Sequence, residues 1–238
     1  MPFPFRPLAG ALLAAALAAG CAGTGSPGAS APGKLLSQAP LASALGLSDA
    51  GQQLSVLYTS TDGVSGQGTV QVSGAVFFPK TPRPAGGWPV VAWAHGTTGV
   101  DDACAPSRNP RSPRDLAYLN AWLREGFVVV ATDYQGLGTP GPHPYLHTRS
   151  QAYSTLDAVR AALTLPGVAN QVVLVGQSQG GGAAFGTAGI APAYAPDVKL
   201  LGTVATGTPY LGLRQNETAL PSDTVAPQMA YAMYAVET

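Results

Sequence analysis

Gln171-Val172-Val173-Leu174-Val175-Gly176-Gln177-Ser178-Gln179-Gly180-Gly181-Gly182-Ala183-Ala184-Phe185 runs from an apolar segment through a Gly-x-Ser-x-Gly string into a row of small residues. An unbroken apolar run suits a strand covered on both faces, and small residues suit a helix lying close against it. A strained turn between the two lifts one serine hydroxyl clear of the sheet, and flanking glycines keep its approach uncrowded. The stretch reads as a nucleophile elbow, with Ser178 as the catalytic nucleophile. In a chain with 30 glycines the five-residue string alone carries little weight; the strand before it and the helix after it supply the rest.

The same kind of run recurs at Val90-Val91-Ala92-Trp93, at Phe127-Val128-Val129-Val130-Ala131 and at Leu200-Leu201-Gly202-Thr203-Val204. All are expected to be parallel strands covered on both faces. Residues 54–60 and 68–78 instead alternate apolar and polar, with Asp62-Gly63 and Gly66 between them, and predict an antiparallel pair. Ser112-Pro113-Arg114-Asp115 has a serine cap, proline in the first helical turn and an acid three residues on. Leu116, Leu119 and Leu123 then share a face until Gly126. Ser150 is expected to cap a second helix that buries Tyr153, Leu156, Val159 and Leu163 and stops at Pro166-Gly167. Strands alternating with helices mean a doubly wound, mostly parallel α/β sheet with an N-terminal antiparallel strand pair.

A serine hydroxyl is a weak nucleophile near neutral pH and needs a histidine base oriented by a carboxylate. On this scaffold the chain order is serine, acid, histidine. The three histidines, His95, His143 and His147, all precede Ser178, whereas Asp197, Glu217, Asp223 and Glu237 follow it. The triad histidine is therefore expected outside this chain, and an acid without it orients nothing. The apolar end Met229-Ala230-Tyr231-Ala232-Met233-Tyr234 likewise suggests a longer protein.

His95-Gly96-Thr97-Thr98-Gly99 ends the first parallel strand. Acyl transfer needs backbone N–H groups aimed at the developing oxyanion, one after the nucleophile and one from an earlier strand's loop. Gln179 is the first donor, and Thr97, with Thr98 beside it, the candidate for the second. His95 is read as shaping this loop rather than as the base. Asp133, after the next strand, is read as a residue that holds its loop. His143 and His147 stand four apart, a spacing that suits a metal on a helix, but Pro144 places them in a loop and no third ligand is near. No metal and no cofactor is expected.

With 46% hydrophobic and 10% charged residues and a net charge of zero, the 238-residue chain suits one domain and offers nothing to nucleic acid. Residues 1–20 place Arg6 before an apolar run that ends in small residues, the pattern of a signal peptide. Leu17-Ala18-Ala19-Gly20-Cys21 resembles a bacterial lipobox, which implies cleavage before Cys21, lipidation of its thiol and a membrane anchor; plain secretion is the alternative. Residues 21–40 are assigned to a flexible tether and 41–238 to the folded domain. Cys104 is then left without a partner in the chain, either a small buried thiol or one paired with a cysteine outside it. Asn216-Glu217-Thr218 matches a glycosylation sequon and is read as coincidental.

The chain resembles the secretory lipase family of the α/β-hydrolases, in particular its bacterial members. The likeness rests on residues 93–99, Cys104-Ala105-Pro106-Ser107, residues 131–141, His143-Pro144-Tyr145-Leu146 and Gly176-Gln177-Ser178-Gln179-Gly180-Gly181, in family order over about residues 50–238. It implies hydrolysis of carboxylic esters, including acylglycerols, by a Ser-Asp-His triad with no metal or organic cofactor. Of the family's machinery only Ser178 and the oxyanion loop carry over. Two other readings stand beside it: a non-catalytic, surface-tethered protein that binds an acyl ligand, and a peptidase or acyltransferase on the same fold.

Overall fold

The computed structural model describes Met1 and residues 31–209. Residues 2–20 of the expected leader, Cys21, the sequon at Asn216 and the apolar end at 229–234 lie outside the described residues. The described part is one sheet of seven strands with helices on both faces, the α/β-hydrolase arrangement. Its strands are β1 (Leu35–Pro40), β2 (Ala50–Thr61), β3 (Thr69–Pro79), β4 (Trp88–Ala94), β5 (Val128–Thr132), β6 (Val168–Gln177) and β7 (Leu200–Thr206), and its helices α1 (Pro113–Arg124), α2 (Thr148–Leu163) and α3 (Gln179–Tyr194). The sheet runs β1-β2-β3-β5-β4-β6-β7.

The expected antiparallel pair is β2 with β3, and β3 then pairs antiparallel with β5. From β5 through β4 and β6 to β7 every pairing is parallel. The apolar runs are unbroken because alternate residues enter different cores. Val90, Ala92 and Ala94 of β4 face α2 and α3 together with Val130, Leu174, Leu156 and Ala184. Val91 and Trp93 face the opposite side with Phe77, Val129 and α1's Leu119 and Leu123.

Three boundaries differ from the sequence reading. Residues 35–40, assigned to the tether, form β1: they hydrogen-bond along β2 in antiparallel register, while Gly33 N–H donates to Thr59 O at 2.7 Å. Backbone pairing with β2, together with Leu35 packed against the core, orders this segment. The second helix starts at Thr148, capped by His147, whose Nδ1 accepts from Ser150 N–H at 3.3 Å. Ser150 is the third residue of the helix rather than its cap, and its hydroxyl instead donates to Gln135 Oε1 at 3.0 Å. β7, expected to be covered on both faces, is largely exposed among the described residues, with Leu201 at 56% and Val204 at 44%. It is the last strand in the described sheet, and of the described helices α3 packs against it.

Candidate active site

The C-terminal ends of parallel strands converge where β4 and β6 lie side by side, Ala94 opposite Gly176. Ser178 follows β6 with φ 59° and ψ −122°, conformational space that a non-glycine residue enters only under strain, and α3 begins at the next residue. Tyr134 and Leu146 are the other non-glycine residues with positive φ among the described residues, and both belong to the segment beside this turn. The glycines of the elbow are required by approach distance. A Cβ on Gly176 would stand 1.9 Å from Gly180 O, and one on Gly180 would stand 1.9 Å from Ala94 O. Only hydrogen at both positions lets α3 sit this close to β4 and β6. Ser178 N–H donates to Thr206 O at 2.9 Å, tying the turn to the end of β7.

Ser178 opens onto a cavity of about 590 Å³, whose walls include Thr97, Thr98, Cys104, Arg111 and Trp93. Gly96 stands directly beside Ser178, since a Cβ there would lie 3.6 Å from Ser178 Cβ. The fold thus gathers Ser178, Thr97 and Thr98 at one cavity from positions about eighty residues apart. Gln179 is the buried first residue of α3. The first intrahelical bond is Gly182 N–H to Ser178 O at 3.1 Å, so the N–H groups of Gln179, Gly180 and Gly181 have no partner within the helix. Their dipoles make this end of a 16-residue helix attractive to negative charge.

His95 is buried, with Nδ1 2.6 Å from Gly96 O and Nε2 3.2 Å from Asp133 O. Its ring lies 4.3 Å from that of Tyr134, and burial pulls its pKa below the usual histidine value. Both nitrogens are engaged by backbone carbonyls, which fits a residue that shapes the loop. Asp133 holds its surroundings: one carboxylate oxygen accepts from Ser107 N–H at 2.8 Å, the other from the hydroxyls of Ser107 and Ser73.

His143 is fully buried. Its Nδ1 donates to Gln135 O at 2.8 Å, which leaves Nε2 to accept from the Gln179 side-chain amide at 3.1 Å. Burial pushes this imidazole down to about 4, so it is neutral near pH 7. Tyr145 OH lies 2.9 Å from Thr97 Oγ1. Neither link was legible in the sequence, because the partners stand 36 and 48 positions apart. Arg111 was missed as well. Its guanidinium lies 4.8 Å from the centre of the Phe77 ring and donates to Leu45 O, while Nη2 has no hydrogen-bond partner. It puts a positive charge in the cavity wall.

Comparison with known proteins agrees with this geometry. The secretory lipase family profile matches residues 112–232. Lipase 7 of Candida albicans is 30% identical over 112 residues, covering 42% of this chain and 25% of that protein. The rice cell wall degrading esterase LipA of Xanthomonas oryzae superposes with a TM-score of 0.59 at 28% identity, over 76% of this chain and 51% of that one. Candida antarctica lipase A in its closed state gives a TM-score of 0.62 at 21% identity, over 75% and 43%, a likeness of fold. The chain therefore spans about a quarter of the curated relative and about half of the esterase.

Proposed function

This chain belongs to the secretory lipase family, and we propose that it is the nucleophile-bearing part of an exported serine hydrolase of carboxylic esters, acylglycerols included. The observation that carries the reading is Ser178 itself, held at φ 59° between β6 and α3 at the mouth of a cavity shared with Thr97 and Thr98. Ser178 Oγ attacks the ester carbonyl as a histidine takes its proton. The N–H groups of Gln179 and of Thr97, with Thr98 in reserve, receive the oxyanion. The alcohol leaves with the proton, and water then hydrolyses the acyl-serine and regenerates the hydroxyl. The histidine is assigned to sequence outside this chain because all three histidines precede Ser178, and the resemblance to the family implies the same of its acid. The short spans of its relatives that the chain covers support the same reading. Export by the leader at 1–20 with lipidation at Cys21 would hold the enzyme at the cell envelope; metabolic labelling with a fatty acid, lost in Cys21→Ser, tests this.

Hydrolysis of a short-chain p-nitrophenyl ester by the full-length gene product tests the chemistry. Ser178→Ala is expected to lower kcat by on the order of 10⁵-fold or more. Turnover that persists unchanged in Ser178→Ala would overturn it, and no turnover at all would favour the acyl-ligand-binding reading. Turnover of amides or transfer to alcohols at comparable rates would shift it to a peptidase or acyltransferase.

A further inference from the structure

Two oxyanion donors on different elements are useful only if their spacing is held, and one short segment touches both. We propose that His143 and Tyr145 are positioning residues for the oxyanion site, the imidazole acting through Gln179 and the phenol through Thr97. This rests on the oxyanion reading given above.

The two side chains come from residues two apart, and Tyr145 N–H donates to His143 O at 2.7 Å, a closed turn that couples them. One end of this brace grips α3: His143 Nε2 takes the Gln179 amide at 3.1 Å. The other grips the loop after β4: Tyr145 OH meets Thr97 Oγ1 at 2.9 Å. The orientation of the Gln179 amide follows from the far side of the ring. Nδ1 must donate to Gln135 O, so Nε2 has only a lone pair to offer and faces the NH₂ group.

The brace is itself anchored to the sheet and its neighbours. Gln135 Oε1 accepts from Gly63 N–H and Ser150 OH, both at 3.0 Å, and its NH₂ donates to Asp62 at 2.8 Å. The Tyr134 ring lies against both His95 and His143, at 4.3 and 6.1 Å, and its hydroxyl donates to His95 O. Packing alone would ask for a ring of this size at 143, but not for an acceptor atom aimed at the residue after the nucleophile.

The test uses Tyr145→Phe, His143→Phe and His143→Gln in the full-length gene product, with ester kinetics and peptide-level hydrogen exchange. Tyr145→Phe and His143→Phe are expected to lower kcat by about 10-fold to 100-fold with KM nearly unchanged. His143→Gln, which keeps an acceptor within reach of Gln179, is expected to recover most of the loss. Thr97→Val breaks the Tyr145 bond from its other side, and its effect should not add to that of Tyr145→Phe. Exchange should rise in peptides over 95–104 and 177–187 and stay unchanged in the β2–β3 hairpin. Wild-type kcat in both phenylalanine variants, no recovery in His143→Gln, or exchange that is unchanged or rises evenly over the chain would overturn the proposal. A wild-type protein without Ser178-dependent turnover would sink the hydrolase reading, and the exchange pattern alone would then decide for or against the brace.

Discussion

His143 shows how much a single buried ring can carry. Its folded pKa of about 4 lies below the ordinary histidine value because burial penalises the charged form, so protonation favours the unfolded chain. The stabilising contribution is therefore complete above pH 6.5 and is lost as pH falls to about 4, a total of about 3 kcal/mol. His95, also lowered by burial, acts in the same direction, while the raised carboxyl of Asp157 acts in the opposite one. Urea titrations from pH 7 to pH 4 are expected to show a steeper loss in the wild-type chain than in His143→Gln. Parallel curves would mean that His143 is protonated in the folded protein without penalty. At this scale the turn that carries Ser178 was legible and the contacts around it were not. Ser178 sits in a local pattern of glycines, a strand and a helix, whereas the His143–Gln179 bond has no local signature.

Among the elements, α1 is the one whose sequence and structure agree most closely. Ser112 Oγ accepts from Asp115 N–H at 3.2 Å, Pro113 opens the helix, Leu119 and Leu123 are buried, and Gly126 closes it with φ 84°. Ser112→Ala is expected to cost about 1 kcal/mol, read as a lower urea midpoint at an unchanged slope. A loss below about 0.3 kcal/mol would mean that tertiary packing of α1, not its cap, sets its start. At α2 the serine signal pointed three residues too far along: His147 caps the helix, and Ser150, inside its first turn, turns its hydroxyl to Gln135 in the loop after β5. Capping patterns are reliable only while no distant residue competes for the side chain. β1 is the converse case: Leu35-Leu36-Ser37-Gln38-Ala39-Pro40 carries no alternating strand pattern, and its backbone pairs with β2 all the same.

Across the whole molecule, a buried carboxylate joins elements distant in the chain. Asp157 of α2 accepts from Ser60 OH of β2 at 2.8 Å, from Tyr194 OH at the end of α3 at 2.6 Å and from Arg160 at 3.0 Å, and Arg160 also grips Asp197. Asp157→Ala would remove the one acceptor that Ser60, Tyr194 and Arg160 share, leaving Tyr194 to Thr61 and Arg160 to Asp197, and is expected to cost about 2 kcal/mol. A thermal midpoint within a degree or two of wild type would show that water or neighbouring groups replace the carboxylate. The network lies away from Ser178, so it bears on stability rather than on chemistry. By itself the sequence determined the class of fold, the order of the parallel strands along the chain and the strand–turn–helix setting of Ser178. Each of these depends on residues that are neighbours in sequence: apolar runs covered on both faces, a helix cap, and glycines around one serine. Only the tertiary structure decided which side chains support that serine. The Tyr145–Thr97 and His143–Gln179 contacts exist because the β4, β5 and β6 ends meet at one edge of the sheet, and no periodicity along a chain reports which of its distant loops will meet there.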